Sequence, residues 1–321
     1  MRKLADLPTT RNAPTGFAVA AVALAAACAA GCGGGQGQGS AATTRPERTF
    51  AFSPGEGRLV DIGGHRSLRL WCSGAGSPTV VVSAGVIDRS ATVRDQLART
   101  TRTCAYDRAG EGYSSDPARV PTDARDDLQD LEALLRHAHL RPPYVPVGVS
   151  YAGPVAALFA KAHPRETAGV VLIESVGADF RRRFLALGRG EPARVRRRLA
   201  HDVGPRVTGG LDEDAIAAEL ASVRTLGHTP LAVVGTPFAH AAPAAVHRAA
   251  ARLWMTLQDD QAALSRDHLH VVATRTGEFV MDSQPEVVVA AVRAVVHAAR
   301  SGTPLPACHE LVREPGVVCR G

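Results

Sequence analysis

Lysine is almost missing from this 321-residue chain. Lys3 and Lys161 are its only two, so arginine carries the formal charge of +6. Aromatic residues make up 4% of the sequence, and they form no stacking series beside the basic stretches. Without such a series or a recognition motif, the positive charge does not point to nucleic acid, which is excluded as a partner. No His, Cys, Asp or Glu cluster has metal-ligand spacing. The glycines from Gly33 to Gly39 follow no strand candidate and so form no phosphate loop; no metal, nucleotide or other cofactor is expected. Internal repeats are lacking too. The apolar, alanine-rich run from Phe17 to Ala30 is too short to span a bilayer comfortably, since a span needs about 20 residues.

What is present at the N-terminus is an export pattern. Arg2, Lys3 and Arg11 precede the apolar run, which ends in Ala29-Ala30-Gly31-Cys32, the charged, apolar and small-residue parts of a secretory signal. The last four residues resemble a bacterial lipobox, with Ala29 where leucine is usual, and make Cys32 the residue to be acylated. Residues 1–31 therefore read as a signal peptide. Residues 32–57, rich in Gly, Gln, Ser, Thr and Pro, read as a flexible tether. Residues 58–321 are long enough for one large domain with a substantial core. The expected location is the outer face of the cell membrane, held by a lipid anchor, or otherwise the medium.

Setting aside Cys28 in the apolar run and Cys32, four cysteines remain: Cys72, Cys104, Cys308 and Cys319. An exported protein meets oxidising conditions, and four cysteines allow three pairings, with four free thiols as the alternative. Cys308 with Cys319 would close a short loop in the Pro- and Gly-containing tail.

Short apolar runs alternate with helix-length amphipathic segments, the pattern of an α/β fold with a mostly parallel sheet and helices on both faces. Eight strands are expected: 59–62, 67–71, 79–83, 101–106, 145–149, 170–174, 231–234 and 269–273. Helices are expected over 91–100, 123–139, 154–163, 243–265 and 284–299. The segment from Asp123 to Leu135 has i, i+3, i+4, i+7 apolar spacing and acidic residues in its first turns, as a one-sided scaffold helix should.

The most informative stretch is Val145-Pro146-Val147-Gly148-Val149-Ser150-Tyr151-Ala152-Gly153. An apolar strand ends in G-x-S-x-A-G and passes directly into a helix. Small residues flank a serine in this way where the chain turns too sharply to admit side chains, which nominates Ser150 as a nucleophile.

The order of motifs resembles the α/β-hydrolase family, in particular its exported esterase-like bacterial members. It is carried by Ser77 to Gly85, by Tyr106-Asp107-Arg108-Ala109-Gly110-Glu111-Gly112-Tyr113-Ser114, by the serine turn, and by Ser283-Gln284-Pro285-Glu286-Val287. The resemblance implies an α/β-hydrolase fold with an eight-stranded sheet and a helical cap over about residues 178–229. It implies neighbouring second and fourth strands, hence a Cys72–Cys104 disulfide. It also implies an oxyanion hole from the backbone amides of Val86 and Tyr151. Asp107 and Arg108 are expected to brace a turn rather than to react.

The family pattern then breaks. Its histidine belongs shortly before Gln284-Pro285-Glu286, where this chain has Glu278. Its acid belongs after the seventh strand, where residues 235–241 offer no carboxylate but do contain His240. A serine without a base is a weak nucleophile. One repair is an exchanged pair, with His240 as base and Glu278 orienting it, because a triad is defined by geometry and not by chain order. Glu278 acting directly as base is another. Glu174 and Asp179, after the sixth strand, stand where some relatives carry the acid. His268 and His270 are expected at the far end of the last strand, as surface or core residues, and His163 as a helix cap.

These residues point to a serine hydrolase acting, as a monomer, on a small ester or acyl compound through Ser150. The alternative is a hydrolase fold kept as a catalytically silent binding or scaffold module. The arginine-rich stretch from Arg181 to Arg198 reads as a solvated helix face or as a surface for anionic headgroups.

Overall fold

The computed structural model describes residues 57–83, 91–204, 207–208, 210–237, 242–275, 279–311 and 316–320. Its strands are β1 (Arg58–Gly63), β2 (Arg66–Ser73), β3 (Thr79–Ser83), β4 (Thr103–Tyr106), β5 (Tyr144–Val149), β6 (Val170–Ile173), β7 (Val207–Thr208), β8 (Leu211–Asp212), β9 (Leu231–Gly235), β10 (His268–Ala273) and β11 (Val317–Arg320). Its helices are α1 (Ala91–Ala98), α2 (Ala124–His137), α3 (Gly153–Ala162), α4 (Phe180–Ala186), α5 (Ala193–Val203), α6 (Glu213–Ala221), α7 (His247–Ala262), α8 (Val280–Ser283), α9 (Pro285–Ser301) and α10 (Cys308–Leu311).

One sheet holds nine strands in the order β1-β2-β4-β3-β5-β6-β9-β10-β11, and β7 and β8 form a separate pair. From β4 to β10 all neighbours run parallel. The antiparallel strands lie at the edges. Every residue of β3, β6 and β9 is buried. A strand covered on both faces needs apolar side chains at every position, and this is why these segments read as valine-rich runs and not as alternating patterns. In β3, Val80 and Val82 pack towards α1 and α9 while Val81 packs towards α2 and α3, the two-residue alternation of the pleat.

The sheet is one strand larger than the eight expected. The tail read as a disulfide-closed loop instead forms β11, antiparallel to β10. Four residues give too short a pattern to recognise without the edge that receives them. Two side-chain contacts hold this strand. Cys319 is bridged to Cys308. Arg320 pairs through both nitrogens with Asp259 of α7, at 2.9 and 2.6 Å. Asp259 in turn meets Nδ1 of the buried His270 at 2.9 Å. The second disulfide joins Cys72 and Cys104, directly opposite each other in the β2/β4 ladder with Cα atoms 4.0 Å apart.

α2 obeys every local rule. Asp123 caps its first turn in a capping box with Asp126, acidic residues follow at the N-terminal end, and Arg136 and His137 close the C-terminal end. Such a cap stabilises a helix by about 1 kcal/mol. Beside it, Arg108 is buried between Asp127 at 2.5 Å and Glu111 at 2.6 Å. Burial alone would discourage its charge, but the two carboxylates overcome this and hold the guanidinium above its ordinary range. The Asp107–Arg108 turn is thus braced on α2. Gly112 fits there because it has φ +48° and no Cβ, which would lie 2.1 Å from Asp107 Oδ2.

Candidate active site

β3 is followed by strands on both of its sides, β4 on one and β5 on the other. In open α/β sheets, crevices form at the carboxyl ends of strands beside such a reversal. Ser150 stands at that end of β5.

β5 runs directly into a 3-10 turn, Ser150–Ala152, and then into α3 with Pro154 in its first turn. Ser150 is exposed and has φ +52°, a left-handed conformation that costs a non-glycine residue about 1–2 kcal/mol. What enforces it is the space around it. A Cβ on Gly148 would lie 2.3 Å from the Ala152 carbonyl oxygen, and one on Gly153 would lie 1.8 Å from Ser175 Oγ. The chain can therefore fold back on itself only because both positions lack side chains. The Ser150 carbonyl accepts a hydrogen bond from the Val176 amide at 3.2 Å, which ties the turn to the chain beyond β6. The serine hydroxyl is thus presented on the N-terminal side of α3, where amide groups are unpaired by the helix and the dipole favours negative charge.

Tyr151, next in the turn, is partly buried, and its phenol hydrogen-bonds the Glu213 carboxylate at the start of α6. Burial first, and that carboxylate second, push the phenol above its ordinary range, while Arg181 opposes them. The residue after the serine is thereby tied to the segment between β6 and β9. That segment packs Phe184, Val195 and Leu199 against Val246, Ala250 and Trp254 of the α7 region, and Phe180 stacks on both Phe184 and Trp254.

Of the other residues singled out in the sequence, Cys32, Val86, His240 and Glu278 lie outside the described residues. Residues near His240 and Glu278 are described, and two of them, Thr236 and Val280, meet one side chain. Glu174, the first residue past β6, has φ +45°, and its amide donates to the Val234 carbonyl of β9. Its Oε1 accepts the Thr236 hydroxyl at 3.0 Å, and its Oε2 accepts the Val280 amide at 3.2 Å. One carboxylate thus joins the loops that follow β9 and β10. Trp254 Nε1 donates to the Thr236 carbonyl at 3.0 Å and anchors the same loop from α7. The sequence signal for this role was a carboxylate directly after a central strand; its two partners become visible only with the register of β6, β9 and β10.

His270 does not belong to this site. It is buried in the middle of β10 against Asp259, and desolvation lowers its pKa although Asp259 pulls the other way. His163 closes α3 and meets Glu132 Oε1 at 2.7 Å.

A comparison with known families matches residues 70–291 to the model described as the alpha/beta hydrolase family. The chain belongs to the alpha/beta hydrolase family. Among curated relatives it is 31% identical over 109 residues to Bacillus subtilis (strain 168) YqjL, an uncharacterized protein, a match that covers 33% of this chain and 43% of YqjL. The chain therefore spans less than half the length of that relative. Among solved structures, the family fold is shared with a thermophilic esterase from Thermogutta terrifontis, at TM-score 0.52 and 20% identity over 76% of this chain and 99% of that one. It is shared too with a putative lipase from Acinetobacter baumannii AYE, at TM-score 0.55 and 15% identity over 77% and 93%. At these identities the likeness is one of fold.

Proposed function

We propose that this family member is a serine hydrolase that cleaves a small carboxylic ester through an acyl intermediate on Ser150. The observation that carries the reading is the exposed serine at φ +52° between β5 and α3, where two obligatory glycines force the turn. Ser150 Oγ attacks the ester carbonyl and its proton passes to a base. The tetrahedral oxyanion is held by the backbone amides of Tyr151 and Val86. The alcohol then leaves, taking that proton, and water releases the acid by the reverse path. Each oxyanion donor is worth a factor of about 10² to 10³.

The base in this proposal is His240, oriented by Glu278. Support comes from Glu174, which bonds Thr236 and Val280, at the roots of the two loops that carry these residues. Esters and lipids are the business of several fold neighbours, among them an esterase and a putative lipase. The chain acts as a monomer, exported and acylated at Cys32, with residues 1–31 removed and residues 32–57 as its tether. The two disulfides suit an oxidising compartment. Among the described residues no helix is long and apolar enough to cross a membrane, and the anchor would be lipid.

Hydrolysis of short-chain p-nitrophenyl esters by Ser150→Ala, His240→Ala and Glu278→Ala variants tests this. Loss of base and nucleophile each lowers kcat by a factor of about 10⁴ or more. Retained turnover in His240→Ala with loss only in Ser150→Ala would replace His240 as base. A second reading, a catalytically silent binding module, is favoured by Glu278 at the family's histidine position and would be upheld by no turnover in the parent protein.

A further inference from the structure

α5 is a helix with two unlike stripes. Val195 and Leu199 are buried in the cluster with Phe184, Val246 and Trp254. Arg194, Arg197, Arg198 and His201, spaced i, i+3, i+4 and i+7, are all exposed, and Arg196 flanks them. Arg189 is exposed in the turn before the helix. From residue 189 to 202 there are five arginines against the two carboxylates of Glu191 and Asp202, half of the formal charge of the whole chain. Asp202 pairs with Arg198 at 2.6 Å and offsets its charge, which leaves Arg189, Arg194, Arg196 and Arg197 as the basic groups of the outer surface.

Folding does not call for this arrangement. Like charges at i, i+3 and i, i+4 repel one another along a helix face. α5 also begins at Pro192 with no side-chain cap and no acidic residue in its first turn, so Arg194 sits at the end where the helix dipole disfavours a cation. Guanidinium is the group that binds phosphate oxygens through two parallel hydrogen bonds.

We propose that the outer face of α5, with Arg189, docks the domain on an anionic lipid bilayer. The partner chemistry is the phosphodiester headgroup, which a row of guanidinia fits and which relieves the repulsion among them. No aromatic residue stands among residues 189–204 to stack on bases, which argues against single-stranded nucleic acid. The segment that carries α5 also reaches the serine turn, through Tyr151 and Glu213 of α6. A tether from Cys32 would keep this face within reach of the membrane. That clause rests on the anchor reading, but the surface itself does not rest on Ser150 or on catalysis.

The test is vesicle flotation of the full chain carrying Cys32→Ser, with phosphatidylcholine vesicles and with vesicles that also contain phosphatidylglycerol. The preference for the anionic vesicles is the readout, because it cancels apolar binding by the N-terminal run. The triple variant Arg194→Gln, Arg197→Gln, Arg198→Gln should lose that preference by about a hundredfold, and added salt should weaken the parent in the same direction. The matched variant Arg194→Lys, Arg197→Lys, Arg198→Lys should keep most of it. A control with equal charge loss at Arg136, Arg141 and Arg165 should behave as the parent. Hydrolysis of a soluble ester should be unchanged throughout, which separates this proposal from the one on Ser150. A parent without preference, a glutamine variant that retains it, a control that loses it equally, or binding confined to a soluble acidic polysaccharide would each overturn the proposal. If the triple glutamine variant fails to fold, the single variants Arg194→Gln and Arg197→Gln decide the question, each expected to lower the preference about fivefold; a preference equal to the parent's in both would overturn the proposal.

Discussion

At the end of β5 a serine is positioned by what two glycines lack; at the end of β6 two loops are joined by what one glutamate carries. The first device is steric. Gly148 and Gly153 allow backbone and Ser175 to come so close that no Cβ fits, and the result is insensitive to pH and charge. The second is electrostatic: Glu174 accepts from Thr236 and from Val280 and works only while both donors are in place. Within one family fold, the Ser150 turn is held by excluded volume and the roots of the loops after β9 and β10 by hydrogen bonds.

The largest effect that could break this contrast is on the steric side. Gly153→Ala should cost about 3 kcal/mol or more in urea unfolding, the upper range for overpacking, because its methyl would meet the fully buried Ser175. Adding Ser175→Gly should recover part of that loss. Recovery of none would mean that the glycine serves the backbone conformation and not the close contact.

A smaller effect is expected on the electrostatic side. Glu174→Gln retains one acceptor but turns an amide group on the other donor, so stability should fall by about 1–3 kcal/mol, the cost of a buried group left unpaired. The rate of fluorophosphonate labelling should fall with it while the serine turn stays folded. Unchanged labelling would confine Glu174 to holding loops together.

The smallest effect tests β10, the strand from which the Val280 loop departs. His270 is buried and its pKa lowered, so the unfolded chain binds the extra proton more readily. Below about pH 6.5, its ordinary value, stability should therefore decline with falling pH until the folded-state pKa is passed. Urea midpoints of His270→Gln should show a shallower decline over that window than the parent. An identical slope would assign the acid sensitivity over that window to other groups; Asp259, whose pKa is lowered chiefly by its bond to Arg320, would act only at lower pH.

The six parallel strands, β3 to β6, β9 and β10, were legible because buried strands cannot hide their apolar runs, and the turn at Ser150 because its sharpness dictates small neighbours. β11 was not, since Val317–Arg320 becomes a strand only when Cys319 and Arg320 lay it along β10. Glu174 was noticed only for its place after β6, because nothing in its own segment shows that β9 and β10 bring Thr236 and Val280 to it. The arginines of α5 looked like an ordinary wet face until the burial of Val195 and Leu199 set them on the opposite side of the helix.

The central claim, that Ser150 is the nucleophile, is tested most directly by treating the full chain with a fluorophosphonate and mapping the adduct by peptide mass spectrometry. The account predicts a single adduct on the peptide containing Ser150, abolished in Ser150→Ala and preserved in Ser175→Ala. No adduct, or one on another residue that survives Ser150→Ala, would contradict it.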